Sequence, residues 1–271
     1  MERQLLFNHI PKTGGTTLRI IFNRVYGPDR VFFIHSKNIG KSLDEFKNLD
    51  KIQRSTFRVV SGHGAGLFAG MLIKPFRISI LREPLSLFLS QYHYLKKSPD
   101  SNFLKEVSEL KSEENYLEYA VTHGQDNLLT RYFSNSVQWL ADPDIPIPNL
   151  EKEGASMLEQ AISNLRQYDA LIDLSRFDKG VYALSKKLNW SKIPIYRPSN
   201  LTKKDNDVIP LSKDYMDQLR YVLRWDIALY EYFINEKLDI SLSEPRKRFD
   251  YPFFVFRQKA VVLLSKMLGK S

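Results

Sequence analysis

The sequence predicts an α/β fold in which a central parallel sheet is flanked by helices on both sides. Short apolar runs of four to six residues alternate with stretches in which apolar residues recur at helical spacing. This alternation is typical of strand–helix–strand units, whose strands pair in parallel. The 271 residues, 43% hydrophobic and 26% charged, have the composition of a globular protein. No shift in composition divides the chain, so we expect a single domain over residues 1–271.

The first hundred residues hold most of the expected strands. Strands are predicted at residues 5–9, 31–34, 57–61 and 76–81, and helices at 16–26, at 42–49 and from Pro84 onward. Ser42 and Glu45 have the spacing of a capping box, so we place the N-cap of the second helix at Ser42. Pro84 suits the first turn of a helix, and the apolar residues that follow it recur at helical spacing.

Helical patterns dominate the remainder of the chain. Residues 101–135 are helical by pattern, and residues 141–150 contain three prolines and form a loop. The elements expected next are a helix at 152–165, a strand at 170–174, a helix at 177–188, a short strand at 194–196 and one long helix at 212–235. Residues 241–271 form a basic and aromatic helical extension.

Charge and cysteine content exclude several classes of protein. The net charge is +9, but residues 1–240 carry only +4 of it, so no nucleic-acid partner is expected. The absence of cysteine excludes disulfides, thiolate metal sites and a cysteine nucleophile. No targeting segment is visible, and no apolar run approaches the roughly 20 residues that span a bilayer. We therefore expect a cytoplasmic protein.

The C-terminal extension carries a concentrated positive charge. Residues 241–271 contain seven basic and two acidic residues, and residues 253–268 mix aromatic and aliphatic side chains with basic ones. An interfacial helix attracted to anionic lipid would have this composition, which makes the protein a candidate for peripheral membrane contact. A helix packed on the core or in an oligomer, with a solvated basic side, is the alternative that we favour.

The segment from His9 to Thr17 (HIPKTGGTT) lies between the first predicted strand and the first predicted helix. Two adjacent glycines let the backbone approach a ligand closely, and the amides that open the helix point toward an anion. In a Walker A loop the lysine follows the last glycine, whereas Lys12 precedes both glycines here. The segment therefore predicts a phosphate site and disfavours an ATPase or nucleotide kinase, with an ordinary glycine turn as the alternative.

Arg82 ends the strand at residues 76–81, and Ser90 follows in the second turn of the next helix. The carboxyl edge of a parallel sheet is where doubly wound folds bind ligands. A guanidinium fork together with a hydroxyl suits a phosphate group. An ion pair between Arg82 and a surface carboxylate is an equally good interpretation of the arginine alone.

Together these two motifs resemble the PAPS-dependent carbohydrate sulfotransferases, in particular the heparan sulfate 2-O- and 6-O-sulfotransferase type. Weaker similarities occur in the same order as in that family and extend the resemblance over residues 5–235: Ser61-Gly62-His63, Asn127-Leu128-Leu129-Thr130-Arg131, Asn200-Leu201-Thr202-Lys203-Lys204 and Trp225-Asp226-Ile227-Ala228-Leu229-Tyr230. The resemblance implies a P-loop-kinase-like sulfotransferase fold. It also implies transfer of a sulfuryl group from PAPS to a hydroxyl of an oligo- or polysaccharide, with PAP as the product.

The resemblance assigns roles to single residues. His63 would be the general base of an in-line transfer, and Lys12 would neutralise charge on the departing oxygen. No metal is implied. The donor would be held by a set of residues from three parts of the chain: Lys12, Thr13, Gly14, Gly15, Thr16, Thr17, Arg82, Ser90, Thr202 and Lys203.

Three further residues remain open to more than one interpretation. Arg131 could contact the acceptor or the adenosine, and an ion pair is nearly as good an explanation. His35 ends the second strand and could face the same cleft, so it is a candidate for acceptor contact. His9 ends the first strand, and we expect it to be structural.

The chain lacks the membrane anchor and the cysteines of the Golgi members of that family, so the resemblance does not identify the acceptor. Two other functions stay as alternatives. One is a non-catalytic protein that binds a nucleotide or a sulfated glycan, and the presence of both Lys12 and His63 argues against it. The other is a nucleotide kinase.

Overall fold

Five parallel strands form one sheet. They are β1 (Leu5–Asn8), β2 (Val31–Ile34), β3 (Val59–Gly62), β4 (Phe76–Leu81) and β5 (Ala170–Asp173), in the order β2-β3-β1-β4-β5 across the sheet. Every neighbouring pair is parallel. The structure, a computed structural model, describes residues 3–97, 107, 110, 113–197, 212–242 and 250–267.

Helices connect the strands and continue after the sheet is complete. In chain order they are α1 (Gly15–Tyr26), α2 (Ile39–Asn48), α3 (Lys51–Thr56), α4 (Pro84–Lys97), α5 (Glu113–Thr122), α6 (Leu128–Phe133), α7 (Leu150–Leu165), α8 (Phe177–Lys187), α9 (Lys213–Val222), α10 (Arg224–Asn235) and α11 (Asp250–Met267). Short 3-10 helices at Ala65–Met71 and Leu174–Arg176 lie next to the carboxyl ends of β3 and β5.

Alternate residues of the strands bury against opposite layers of helices. Phe7 packs in a core with side chains of α1 and α8, whereas Leu6 packs in a second core with side chains of α2. Leu81 belongs to a third cluster, which includes side chains of α6, α7 and α10. Because successive side chains of a strand point to opposite faces, both faces of the sheet are covered. The predicted fold class, a parallel sheet flanked by helices, is confirmed.

The predicted start of α2 is wrong. The helix begins at Ile39, and its N-cap is Asn38, whose side chain accepts the amide of Lys41. Ser42 lies inside the helix, where its hydroxyl donates to the carbonyl of Asn38 and accepts the amide of His35. A capping box is present one helix later, between Asp50 and Gln53 of α3.

The short strand predicted at residues 194–196 is not formed. The amide of Tyr196 donates to Gln258 of α11, and the side chain of Gln258 donates in turn to the carbonyl of Pro194. The side chain of Gln258 therefore forms the backbone hydrogen bonds that a neighbouring strand would otherwise form. α11 itself agrees with the predicted helical extension.

The long helix predicted at residues 212–235 is two helices, α9 and α10, and Asn127 separates them. The side chain of Asn127 donates to the carbonyl of Val222 at 2.7 Å and accepts the amide of Asp226 at 3.0 Å. In an unbroken helix, that carbonyl and that amide would bond to each other. A side chain inserted into the hydrogen-bond ladder interrupts the helix at this point.

Asp226 returns the interaction by capping α6. Its two carboxylate oxygens accept the amides of Leu129 and Thr130 at 2.9 and 2.7 Å. Burial raises the pKa of Asp226 to about 7, although these amide bonds oppose the rise. Two segments that lie about 100 residues apart in the sequence are therefore joined by a reciprocal pair of caps.

We predict that Asp226 makes the folded protein less stable as the pH rises from about 4 to about 7. In this range the folded state retains a proton that the unfolded state releases, so the free energy of unfolding falls as the pH increases. In Asp226→Asn this contribution, roughly 2–4 kcal/mol from the difference in pKa, is absent. Urea unfolding of both proteins between pH 4 and 8 tests this, and parallel curves would contradict it.

Candidate functional site

The phosphate-loop segment leaves the carboxyl edge of the sheet between β1 and α1. Lys12 has φ 60° and Gly14 has φ 82°, so the chain passes twice through the left-handed region. The buried hydroxyl of Thr13 donates to the carbonyl of Ile10 at 2.9 Å and closes the turn. No side chain among the described residues caps the amino end of α1, and the amide of Thr17 donates to the carbonyl of Gly14 at 3.1 Å. The helix therefore presents its amino end to the loop, a position at which anions bind favourably.

Close contacts favour glycine at both positions, and backbone shape favours it at Gly14 as well. A Cβ on Gly14 would lie 2.8 Å from Cδ1 of Leu174, and its positive φ already disfavours other residues. A Cβ on Gly15 would lie 1.9 Å from the ring of His9. The loop is thus pressed between His9 and the segment that follows β5.

Arg82 connects the end of β4 to this loop. Its Nη1 donates to the carbonyl of Lys12 at 3.0 Å, which holds the lysine in its left-handed conformation. Among the described residues Arg82 forms no ion pair closer than 4.0 Å, so the surface-carboxylate alternative is not observed there. Burial lowers the pKa of Arg82, and the neighbouring Glu83 carboxylate opposes that effect.

Ser90 is buried on α4, and its hydroxyl has no hydrogen-bond partner in the described part of the chain. An unsatisfied buried hydroxyl is unfavourable by about 1–3 kcal/mol, and a bound molecule or an ordered water would supply the missing partner. Ser90 follows the α4 N-terminus, where Glu83 accepts the amides of Leu85 and Ser86. A buried hydroxyl and an unpaired guanidinium fit a phosphate.

Lys12 directs its ammonium toward α4. Its Nζ lies 4.1 Å from the centroid of the Tyr94 ring, a cation–π distance. Burial lowers the pKa of Lys12, and the nearby Arg82 cation lowers it further. Two cations therefore stand close together at the loop, an arrangement that an anion would stabilise.

His63 follows the end of β3, beside the loop. Its Nδ1 lies 2.7 Å from the carbonyl oxygen of His9. A carbonyl can only accept, so Nδ1 carries the proton and Nε2 of the neutral ring has a free lone pair. Burial lowers the pKa of His63, the bond to His9 raises it, and the Arg19 cation lowers it again. The ring is therefore a neutral base near physiological pH.

The chain also matches a protein-family model. Residues 1–233 match the model of the family described as "Sulfotransferase family". The chain belongs to the sulfotransferase family. Membership confirms the predicted enzyme class and, with it, the predicted sulfuryl donor, PAPS.

Two other comparisons accompany the family match. This sulfotransferase is similar to the crystal structure of mouse sulfotransferase SULT7A1 complexed with PAP, with 15% identity, a TM-score of 0.32, and coverage of 94% of this chain and 88% of that one. No curated protein matches the sequence significantly. The family assignment rests on the 233-residue match.

The structure of this sulfotransferase brings most of the candidate residues to one edge of the sheet. The loop, Arg82 and His63 meet there through the contacts described above, and Ser90 lies on α4, the helix that Lys12 contacts through Tyr94. His35 follows β2 at the same edge and is exposed, with its ring 5.3 Å from that of Phe33. Thr202 and Lys203 lie outside the described residues.

Arg131 is not among the candidate residues that lie at this edge of the sheet. Its side chain is fully buried, with Nη2 bonded to the Asp126 carboxylate at 2.7 Å, Nε to the Asp126 carbonyl and Nη1 to the Pro148 carbonyl. The ion pair that the sequence left open is present, but it lies in the interior instead of at the surface. Its donors are engaged in packing α6, so we assign Arg131 no contact with substrate.

Three residues at the site had no predicted part in its chemistry. Arg19 of α1 lies close enough to both His9 and His63 to lower the pKa of each, and its guanidinium stacks 4.2 Å from the ring of Phe33. Tyr94 contacts Lys12, and His9 contacts His63. Arg19 and Tyr94 lie one helical turn after Gly15 and Ser90, a spacing that could have identified them.

The described residues contain neither a cluster of metal ligands nor a helix that could span a membrane. No three histidine, aspartate or glutamate side chains in that part of the chain lie close enough together to hold a metal ion. Within the same residues, no helix has both the length and the apolar character needed to cross a membrane.

Proposed function

We propose that this sulfotransferase moves the sulfuryl group of PAPS to a hydroxyl of a carbohydrate acceptor, with His63 as general base. The observation that supports sulfuryl transfer is the position of the neutral His63 ring beside the phosphate loop. The carbohydrate acceptor is supported by the motif resemblance to heparan sulfate 2-O- and 6-O-sulfotransferases. Neither alternative, the non-catalytic binder or the nucleotide kinase, is favoured by an observation in the structure.

The donor fits polar groups from the phosphate loop, Arg82 and α4. The amides at Gly14–Thr17, with Lys12 and the threonine hydroxyls, would hold the 5′-phosphosulfate. Arg82 and the unpartnered hydroxyl of Ser90 would hold the 3′-phosphate. Thr202 and Lys203 stay predicted donor contacts, and His35 stays a predicted acceptor contact, because it is exposed at the same edge.

The transfer needs a base and a cation on opposite sides of the moving group. Nε2 of His63 accepts the proton of the acceptor hydroxyl while the hydroxyl oxygen forms its bond to sulfur. The bond from sulfur to the bridging phosphate oxygen breaks, and its electron pair leaves with PAP. Lys12 neutralises the charge that develops on that oxygen. No proton needs to reach the leaving phosphate, so the chain requires a single base.

We predict that Arg82→Ala weakens PAP binding at least tenfold, or about 1.4 kcal/mol, in calorimetric titration without added metal. Arg77→Ala is a matched control, because Arg77 lies on the same strand and its guanidinium bonds to Gln167 at the opposite end.

Ser90→Ala should weaken PAP binding several-fold and yet raise the stability of the ligand-free protein, since it removes an unsatisfied buried hydroxyl. Wild-type protein that does not bind PAP would overturn the proposal.

We predict that His63→Ala lowers sulfuryl transfer to an accepted saccharide by about 10²- to 10⁴-fold and changes PAP affinity less than threefold. Because burial lowers the pKa of His63, the wild-type rate should fall only when the pH drops below the ordinary histidine value of about 6.5. Radiolabelled sulfate transfer between pH 4.5 and 8 measures both effects. Saccharides that accept no sulfate, while another class of hydroxyl does, would refute the carbohydrate acceptor.

The C-terminal helix supports a further part of the proposal, contact with an anionic membrane surface. α11 packs on the core through Phe254, which is 5% exposed, but Phe253 and Phe256 are 65% and 70% exposed. The sequence around them carries a net charge of +5 over residues 241–271. Core packing and exposed aromatic rings therefore occur in one helix, which lies beyond the family match.

We predict that the protein floats with vesicles that contain phosphatidylserine, at low salt, and not with purely zwitterionic vesicles. Replacing both Phe253 and Phe256 by serine should abolish flotation without loss of PAP binding. Ile73→Ser is the matched control, because Ile73 is 84% exposed on another surface. Equal flotation of wild type and the double variant would refute the membrane contact.

A further inference from the structure

His9 occupies the space between the phosphate loop and the base. It directly follows Asn8, the last residue of β1, and its amide donates to the carbonyl of Gly62 at the end of β3. Its own carbonyl accepts from Nδ1 of His63 at 2.7 Å. The backbone of His9 therefore continues the pairing of β1 with β3 and selects the tautomer of the base.

The side chain of His9 touches both halves of the site. On one side its ring stacks on the ring of His63, with centroids 4.4 Å apart and planes 29° from parallel. On the other side it is parallel to the ring of Phe7, 5.6 Å away. A Cβ on Gly15 would lie 1.9 Å from Cδ2 of this ring, so the ring packs directly against the first residue of α1.

From these contacts we infer that His9 is a positioning residue, whose ring sets the distance and orientation of His63 relative to the loop that binds the donor. The inference rests on the proposed function and deepens it. Because side chains in a packed interior adopt few arrangements, a ring wedged between the loop and the base ties their positions together. In-line transfer is sensitive to such placement, and a misplacement of about 1 Å can reduce a rate 10²-fold.

The electrostatic surroundings allow the two rings to stack. Burial lowers the pKa of His9 well below its ordinary value, and the proximity of His63 and Arg19 lowers it further. The ring of His9 is therefore uncharged where His63 is uncharged, and neither repels the other. His9 bonds to no acceptor hydroxyl or donor phosphate in this assignment, so it is not a catalytic residue.

The first test follows His63 itself by NMR. In His9→Ala the imidazole of His63 loses its stacking partner and gains access to water, so its pKa should rise toward about 6.5. The kcat of transfer should fall at least tenfold while the KM for PAPS changes less than threefold. His123→Ala is the matched control, because His123 also stacks on an aromatic ring, that of Tyr119, and bonds to a backbone carbonyl through Nδ1.

The second test uses the contact between His9 and Gly15. Gly15→Ala alone drives a methyl group into the His9 ring and should weaken PAP binding at least tenfold. In the His9→Ala background the same methyl group meets no ring, so the loss should be much smaller. Such non-additivity is the signature of a direct contact in a double-mutant cycle. Additive effects would overturn the inference.

His9→Phe separates positioning from proton chemistry. Phenylalanine keeps a ring between Gly15 and His63 but cannot exchange a proton, so it should recover most of the lost kcat. A folded His9→Phe protein that binds PAP and is as inactive as His9→Ala would overturn the positioning role. The NMR titration needs neither donor nor acceptor, so its failure is distinguishable from failure of the wild type to bind PAP, which refutes the proposed function.

Discussion

The parallel register of β1 with β3 and β4 determines where this protein can do chemistry. Asn8 is paired with Gly62 on one side and with Ser79 on the other. β1 and β3 therefore end together, and β4 continues for two residues more, to Leu81. The segments that follow the three strands become the phosphate loop, the His63 turn and the Arg82 turn. The hydrogen bonds from His63 to the carbonyl of His9 and from Arg82 to that of Lys12 join these segments. Without this register, neither bond could form.

The site concentrates positive charge: among the described residues no carboxylate lies within 4.0 Å of the Lys12 ammonium or the Arg82 guanidinium, although Glu83 acts on Arg82 from farther away. Burial lowers the pKa of both Lys12 and Arg82, which means that folding makes the charged form of each side chain less favourable. A donor with two anionic groups would stabilise both cations, and the amino end of α1 would contribute to the same end. By contrast, the buried Arg131 is matched by Asp126 and by carbonyls, and it stabilises the packing of α6.

The sequence predicted the sheet and the turn between β1 and α1 because both depend on local patterns: apolar runs and paired glycines. It could not predict the Asn127 cap that divides α9 from α10, because that hydrogen bond joins residues 95 positions apart. The same limit applies to Arg131, whose partners include the carbonyl of Pro148. His9 appeared structural because its sequence position says nothing about the ring of His63, which is 54 residues away.

A crystal structure of the protein with PAP bound would test the central claim most directly. We expect the 5′-phosphate within hydrogen-bond distance of the amides of Gly15, Thr16 and Thr17, at about 2.7–3.2 Å. The 3′-phosphate should contact Arg82 and give the hydroxyl of Ser90 its missing partner, with Nε2 of His63 facing the 5′ side. PAP bound elsewhere, or a Ser90 hydroxyl still without a partner in the complex, would contradict this account of the site.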